Sequence, residues 1–294
     1  MMYFAYGSNL DDKDWARFCD KHSIPADCIS PIGPAFLPDH ELIFNVYSST
    51  RGGGALNIKE RLGSYVSGAL FEVEDLGWRT LDMKEGVAER IYRRIDKSVI
   101  VPNGSTINAV TYEVLPESQS DFIAPTAVYI EAVRRGLRRF NLSNTRLNAA
   151  ATDQRLPDAA TGIFTYGTLM SGECRHSKVE SLHFIHQTDA SALGLLYASA
   201  FDYPMMDISE NKTPKSIIGE LFYFSDLSQA IAELDQVEGF SGFGVSHNEY
   251  DRTLIPVTPR HEAPTLSWCY VARDLSSATK EIMSGSWKQY KSGF

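Results

Sequence analysis

Hydrophobic residues recur along this chain with two periods, one typical of short β-strands and one typical of amphipathic helices. Apolar or alternating runs predict strands at residues 41–46, 54–58, 66–73, 90–95 and 108–114, and again at 190–197, 217–224, 253–257 and 266–271. Helical spacing predicts helices at residues 11–21, 76–84, 125–140, 227–236 and 276–290. Strands outnumber helices, so the pattern predicts an α+β fold built on a small, closed or nearly closed mixed sheet.

The same short motifs occur twice, in the same order. Residues 4–10 (FAYGSNL) recur at 164–170 (FTYGTLM), residues 66–73 at 217–224, and residues 81–86 (LDMKEG) at 234–239 (LDQVEG). Each copy then has a tyrosine closely followed by an arginine, Tyr92-Arg93 in the first and Tyr250 with Arg252 in the second. Two copies predict a tandem duplication, with domains at 1–143 and 162–294. The polar, alanine-rich stretch 144–161 is predicted to be the linker.

Composition adds limits on function and location. The 294 residues are 43% hydrophobic, and 28 basic residues stand against 37 acidic ones, for a net charge of −9. This balance disfavours nucleic acid and anionic membranes as partners. No apolar run approaches the roughly 18 residues of a membrane span. The four cysteines are scattered without a CxxC pair, which suits a reducing compartment. We therefore expect a cytoplasmic protein.

The repeated motifs carry the candidate chemistry. A glycine between a strand and a helix exposes backbone N–H groups, so the Tyr6-Gly7 and Tyr166-Gly167 turns predict an anion site. Glu85 and Glu238 recur at the end of a predicted helix, where a carboxylate is mildly unfavourable. They are therefore the best general-base candidates, whereas Asp82 and Asp235 are interpreted as structural.

Other chemistries are less well supported by the sequence. Ser8 lacks a nucleophile elbow and a recurring histidine, which disfavours covalent serine catalysis. His183 and His186 lie three apart, but the first copy has no equivalent pair and no carboxylate stands at ligand spacing from them. The other five histidines are isolated, so no metal site is predicted. The loop at residues 51–54 (RGGG) either approaches a ligand closely or simply turns, and the sequence leaves both readings open.

Taken in order, these motifs resemble the γ-glutamylcyclotransferases. The residues that carry the likeness are Tyr6 to Leu10, the run 53–58, the run 68–71, the run 81–87 with Tyr92, and Ala124-Pro125-Thr126 with Tyr129. The second half is similar to the related AIG2-like, γ-glutamylamine cyclotransferase branch. Its matching residues are Tyr166 to Leu169, Tyr203-Pro204, 219–221, 234–239 and Tyr250 with Arg252.

The resemblance implies a small β-barrel flanked by helices in each half, and an enzyme of the lyase or acyltransferase type. Such an enzyme cyclises a γ-glutamyl group to 5-oxoproline, releases the amine or amino acid, and uses no cofactor. The resemblance assigns acid–base chemistry to Glu85 and Glu238. Substrate binding falls on Tyr6, Gly7, Ser8, Asn9, Leu10 and Tyr92, and on Tyr166, Gly167, Thr168, Leu169 and Tyr250. Thr168-Leu169 departs from Ser8-Asn9, so the two pockets are expected to differ.

Two other functions stay open from the sequence alone. One is an amidohydrolase or acyltransferase that uses the same glutamate on a related amide. The other is a binding or regulatory module that retains a γ-glutamyl compound without turnover. The amine that leaves, the activity of each copy, the pathway and the oligomeric state are not specified by the sequence.

Overall fold

The computed structural model of the chain describes residues 1–209 and 213–293 and divides it into two compact units. The first, called domain 1 below, consists of Met1–Val101 and Thr106–Leu156. The second, called domain 2, consists of Pro102–Ser105 and Pro157–Phe294. The stretch 144–161 spans the boundary. Part of it forms a helix whose Leu147 and Ala150 are buried in domain 1, so these residues pack as part of a domain.

Domain 1 is a closed five-stranded barrel with helices beside it. Its strands are β1 (Met2–Ala5), β2 (Ile29–Ser48), β3 (Gly53–Val73), β4 (Tyr92–Ile100) and β5 (Thr106–Val114). Its helices, over the described residues, are α1 (Asp12–Lys21), α2 (Asp75–Glu85), α3 (Ala127–Arg139) and α4 (Thr145–Ala150). The barrel order is β1-β3-β2-β4-β5. It closes where Tyr3 of β1 pairs in parallel with Val110 of β5.

Domain 2 repeats this barrel with two additional strands. Its strands are β6 (Ile163–Thr165), β7 (Phe184–Ser199), β8 (Pro204–Asp207), β9 (Lys215–Phe224), β10 (Tyr250–Pro259), β11 (Thr265–Ala272) and β12 (Ala278–Glu281). Its helices, over the described residues, are α5 (His176–Glu180), α6 (Leu227–Val237) and α7 (Trp287–Lys291). The ring runs β6-β9-β7-β10-β11, with β11 parallel to β6, while β8 and β12 pair with β7. The prediction of two mixed barrels flanked by helices is confirmed.

Equivalent positions in the two barrels have nearly identical surroundings. A Cβ added to Gly68 would lie 2.2 Å from the Ala5 carbonyl oxygen, and one added to Gly219 would lie 2.2 Å from that of Thr165. Only a residue without a side chain allows β1 and β6 to approach their neighbours so closely. The duplication seen in the motifs therefore extends to the packing of the first strand of each domain.

The predicted helix over residues 276–290 is wrong for most of its length. Residues Ala278–Glu281 form β12 on the edge of β7, and α7 begins only at Trp287. The break falls at Gly285, which has a φ of 66° and a Cα so close to β9 that an added Cβ would lie 2.0 Å from the Ser216 carbonyl oxygen. A helix cannot continue through a left-handed residue in such a contact.

Among the described residues, no helix combines the length and the apolar character that crossing a membrane requires.

Candidate active site

The first motif forms a tight turn between β1 and α1. Residues Ser8–Leu10 make one 3₁₀ turn, in which the Leu10 N–H donates to the Gly7 carbonyl at 3.1 Å. The first N–H groups of such a turn have no partner inside it, so they are available to an anion. Ser8, Asn9 and Leu10 are all buried. Leu10 packs against α3, where Gly136 leaves room for its Cβ, so the Leu10 side chain belongs to the core.

Glu85 is the last residue of α2, and its side chain meets the first motif. Its Oε1 accepts a hydrogen bond of 2.7 Å from Asn9 Nδ2, which also donates to the Tyr3 hydroxyl at 2.9 Å. Gly86 follows with a φ of 65°, the left-handed conformation that ends a helix. The structure therefore brings together two predicted site residues 76 positions apart.

The surroundings of Glu85 affect its pKa in opposite directions. Burial raises the pKa of Glu85, whereas Lys84, the Asn9 hydrogen bond and Arg51 favour the ionised form. The Asn9 Oδ1 atom is buried and has no hydrogen-bond partner in the described chain. A buried acceptor of this kind is suited to a ligand N–H beside the carboxylate.

The predicted tyrosines of domain 1 use their hydroxyls within the protein. Tyr6 donates to the Tyr112 carbonyl at 2.7 Å, and Tyr92 donates to the Leu56 carbonyl at 2.6 Å. Their rings line the region around Glu85, and burial raises the pKa of both hydroxyls. Tyr129 was not predicted as a site residue, yet its hydroxyl lies 3.5 Å from the position of a Cβ on Gly7. Tyr129 lies in the first turn of α3, and its N–H donates to the side chain of Thr126, the N-cap residue.

A cluster of charged residues beside the first motif was also not predicted from the sequence. The guanidinium of Arg51, in the turn between β2 and β3, donates to both carboxylate oxygens of Asp14 at 2.7 Å and to Ser8 Oγ at 3.0 Å. Lys84 Nζ donates to the same Asp14 carboxylate at 2.7 Å. The 51–54 loop forms the β2–β3 turn and also brings Arg51 against the first motif.

The second motif lines a small cavity in domain 2. Tyr166, Gly167, Thr168 and Leu169 surround it together with Glu238 and Tyr250, and it measures about 40 Å³. That volume holds a few water molecules. Pro204 closes one side, because a Cβ on Gly167 would lie 2.3 Å from its Cγ atom. Arg175 and Glu249, which were not predicted, add charges of opposite sign to the cavity wall.

Glu238 occupies the position in domain 2 that Glu85 occupies in domain 1. It caps the C-terminus of α6, and its N–H donates to the Leu234 carbonyl at 2.9 Å. Its carboxylate accepts no hydrogen bond from the described residues, because Leu169 stands where domain 1 has Asn9. Burial raises its pKa to about 7, Arg175 opposes this rise, and Glu249 adds to it.

Both glutamates lie on helices that are fixed to the barrel in the same way. The Tyr112 hydroxyl donates to Asp82 at 2.8 Å, and the Tyr270 hydroxyl donates to Asp235 at 2.7 Å. Each aspartate precedes its glutamate by three residues. The aspartates therefore hold the helix ends, as the structural interpretation proposed.

The arginine pairing inferred from the motifs is corrected by this network. Arg94 forms the ion pair with Asp82, at 2.6 Å, and Arg252 lies 3.5 Å from Asp235. Arg93 points to the other face of β4 and pairs with Glu113 on the surface. Adjacent strand residues face opposite sides of the sheet. The motif comparison placed Arg93 beside Arg252, whereas the residue equivalent to Arg252 is Arg94, one position later. Over the described residues, no group of three or more His, Cys, Asp or Glu is arranged to hold a metal ion.

Family models match part of each half of the chain. A model described as "Gamma-glutamyl cyclotransferase, AIG2-like" matches residues 163–289, and one described as "AIG2-like family" matches residues 65–145. No curated protein sequence matches the chain.

Several solved structures are similar at low identity. A γ-glutamyl cyclotransferase is 22% identical over 52% of this chain and 85% of its own, with a TM-score of 0.43. An uncharacterised protein from Homo sapiens is 23% identical over 53% of this chain and 89% of its own, with a TM-score of 0.44. YkqA from Bacillus subtilis is 14% identical over 92% of this chain and 83% of its own, with a TM-score of 0.34.

Proposed function

We propose, from the premise that both halves of this chain belong to the γ-glutamylcyclotransferase-like, AIG2-like superfamily as tandem copies, that the protein is a γ-glutamyl cyclotransferase. Each domain would convert a γ-glutamyl amide into 5-oxoproline and a free amine or amino acid. The observation that carries this proposal occurs in both domains: a half-buried glutamate of raised pKa beside the strand-to-helix turn.

The reaction needs one proton acceptor that later becomes a proton donor. The ionised glutamate takes a proton from the substrate's α-ammonium group, and the neutral amine attacks the γ-carbonyl carbon. A C–N bond forms and closes the five-membered ring, and the carbonyl oxygen becomes an oxyanion. The protonated glutamate then gives its proton to the leaving nitrogen, and the carbonyl re-forms as the old C–N bond breaks. The restored carboxylate passes the second proton of the ring nitrogen to the departing amine, which leaves as an ammonium ion. A carboxyl group whose pKa is raised toward neutrality suits both steps.

The barrel supplies the geometry for this cyclisation. The nucleophile and the carbonyl belong to one molecule, and well-oriented reactions of this kind reach effective molarities on the order of 10⁵ M or more. In this proposal the N–H groups of the Tyr6-Gly7 and Tyr166-Gly167 turns bind the substrate carboxylate or the oxyanion. No cofactor is needed by this route. The four cysteines, which all lie within the described residues, are free thiols, and this supports a cytoplasmic location.

The test removes each carboxylate without changing its shape. Glu85→Gln and Glu238→Gln are each expected to lower turnover by their own domain roughly 10²-fold to 10⁴-fold. The double variant should lose 5-oxoproline formation from a panel of γ-glutamyl amino acids and amines. Glu233→Gln, an exposed glutamate on α6, is the matched control and should keep the wild-type rate.

The products distinguish the competing functions. Release of free glutamate in place of 5-oxoproline would indicate an amidohydrolase, and binding without product would indicate a binding module. Wild-type rates of 5-oxoproline formation by a folded double variant would refute the assignment of both glutamates.

A further inference from the structure

The turn of the β2–β3 hairpin is held rigidly against the first motif of domain 1. The Gly52 N–H donates to the Ser48 carbonyl at 2.8 Å, and the Gly54 N–H donates to the Ala124 carbonyl at 3.0 Å. A Cβ on Gly54 would lie 2.0 Å from the Ile123 carbonyl oxygen, so the hairpin packs directly on the segment before α3. Arg51 extends from this anchored turn and stacks over the Tyr129 ring, 5.2 Å from its centre.

Asp14 holds the Arg51 guanidinium in one orientation. Its side chain is only 4% exposed, and both of its oxygens accept from Arg51. Lys84, itself 7% exposed, donates to the same carboxylate, and its ammonium group lies near the rings of Trp15 and Phe18. The two cations keep the pKa of Asp14 well below its usual range, so Asp14 stays ionised. A bidentate pair with a buried carboxylate fixes the plane of a guanidinium.

This arrangement decides which way the Ser8 hydroxyl points. Ser8 Oγ accepts a hydrogen bond from Arg51, and a hydroxyl proton directed at a guanidinium would be repelled. The Ser8 proton therefore points away from Arg51. Ser8 is 8% exposed, and its hydroxyl donates to no acceptor among the described residues. A buried donor without an acceptor is unfavourable unless a ligand supplies one.

We propose that Arg51 is a positioning residue of domain 1, which commits the Ser8 hydroxyl to donate to a carboxylate of the bound ligand. This inference rests on the proposed function, in which that carboxylate belongs to the γ-glutamyl group. Asp14 holds Arg51, and Arg51 acts on the ligand through Ser8, so removal of Arg51 weakens binding by releasing the hydroxyl to other orientations.

Domain 2 lacks the same device. Thr168 stands in the place of Ser8, Cys174 stands at the spacing of Asp14, and Val237 precedes Glu238 where Lys84 precedes Glu85. Arg175 lines the domain 2 cavity, yet it forms no ion pair within 4 Å in the described chain. The two domains therefore present different polar groups to a carboxylate.

The test is a double-mutant cycle in the full chain carrying Glu238→Gln, so that turnover comes from domain 1. KM and kcat for 5-oxoproline formation from γ-glutamylalanine are measured for Arg51→Gln, Ser8→Ala and the pair. Each single variant is expected to raise KM roughly 10-fold to 100-fold, the range of a hydrogen bond to a charged group. The pair should not exceed Ser8→Ala alone, because Arg51 acts through that hydroxyl.

Further variants separate positioning from stability. Arg51→Lys should rescue KM only in part, because one ammonium cannot hold Asp14 bidentately and reach Ser8. Arg93→Gln, which removes an exposed ion pair of β4, is the matched control and should leave KM unchanged. Effects of Arg51→Gln and Ser8→Ala that multiply, or a lower melting temperature with unchanged KM, would overturn the proposal. A loss confined to kcat would overturn the carboxylate assignment.

Binding of L-glutamate, measured by titration calorimetry on the same variants, separates this inference from the proposed function. Any binding by domain 2 contributes equally to every variant. A chain that forms no 5-oxoproline but shows coupled weakening of L-glutamate binding would refute the activity and support the role of Arg51. Independent effects on Kd, or no binding by domain 1, would overturn that role whether or not turnover occurs.

Discussion

Replacing Glu238 with glutamine should make domain 2 more stable, by an amount that depends on pH. The Glu238 carboxylate ends α6, accepts no hydrogen bond from the described residues, and has a pKa raised to about 7 by burial. Glutamine has nearly the same shape and cannot ionise. The variant therefore removes only the unfavourable burial of a charge.

The sign and size follow from the two pKa values. An unfolded glutamate titrates near 4.5, so the folded state holds the proton more tightly. The stability that this provides is fully present below pH 4.5 and is lost as pH rises through 7. At about 1.36 kcal/mol per pKa unit, the ionised carboxylate costs up to about 3 kcal/mol above pH 8. Glu238→Gln should therefore exceed the wild type by up to about 3 kcal/mol at pH 8 and match it near pH 4.5.

Urea denaturation at several pH values measures this difference. Because the chain has two domains, unfolding is followed separately for domain 2, by a hydrogen-exchange pulse at one fixed pH read on peptides of β6 and β9. Glu233→Gln on the exposed side of α6 should show no such pH dependence. A variant less stable than the wild type at pH 8, or a difference that does not change with pH, would refute the reasoning.

Three further outcomes follow from other contacts. In the Glu85→Gln chain, the remaining turnover comes from domain 2, and its kcat/KM should rise as pH rises through about 7. The reason is that Glu238 must be ionised to accept a proton. A kcat/KM that stays constant between pH 6 and 8 contradicts this. Tyr112→Phe removes the hydrogen bond to the helix of Glu85 and should destabilise domain 1 by about 1 kcal/mol in thermal unfolding. Gly54→Ala forces a Cβ to 2.0 Å from a carbonyl oxygen and should cost at least about 2 kcal/mol, whereas Gly33→Ala, with open space around it, should be nearly neutral; equal effects would show that the hairpin contact is unimportant.

The architecture was accessible to sequence reasoning because each barrel depends on local patterns that occur twice. The helices at 11–21, 76–84 and 227–236 were predicted within one or two residues of α1, α2 and α6. The family resemblance assigned Glu85 and the first motif to one site, and the Asn9–Glu85 hydrogen bond shows that the two are in contact.

The errors share a physical origin in contacts that the local pattern does not encode. β2 begins at Ile29, well before the predicted strand at 41–46. Prolines usually exclude a residue from a strand, but Pro31 and Pro38 lie next to β-bulges, where the missing N–H breaks no ladder hydrogen bond. The helix predicted at 276–290 is wrong because residues 278–281 pair with the edge of β7 as a strand. Propensity alone cannot register a pairing partner 80 residues away.

The Arg51 cluster shows the same limit within the site. Ser8, Asp14, Arg51 and Lys84 come from the first turn, α1, the β2–β3 turn and α2, and no spacing rule links these segments. Only the glycines at 52–54 marked the hairpin as a place where the backbone comes close to another segment.

The first barrel can close only late in the synthesis of domain 1. β1 pairs in parallel with β5, and Tyr6 bonds to the Tyr112 carbonyl 106 residues away, so the ring cannot shut before about 114 residues have left the ribosome. At roughly 5–20 residues per second, about 5 to 20 seconds pass between the synthesis of the apolar first strand and that of its last neighbour. During that interval the apolar face of β1 is exposed, and a chaperone that binds nascent chains would protect it from aggregation.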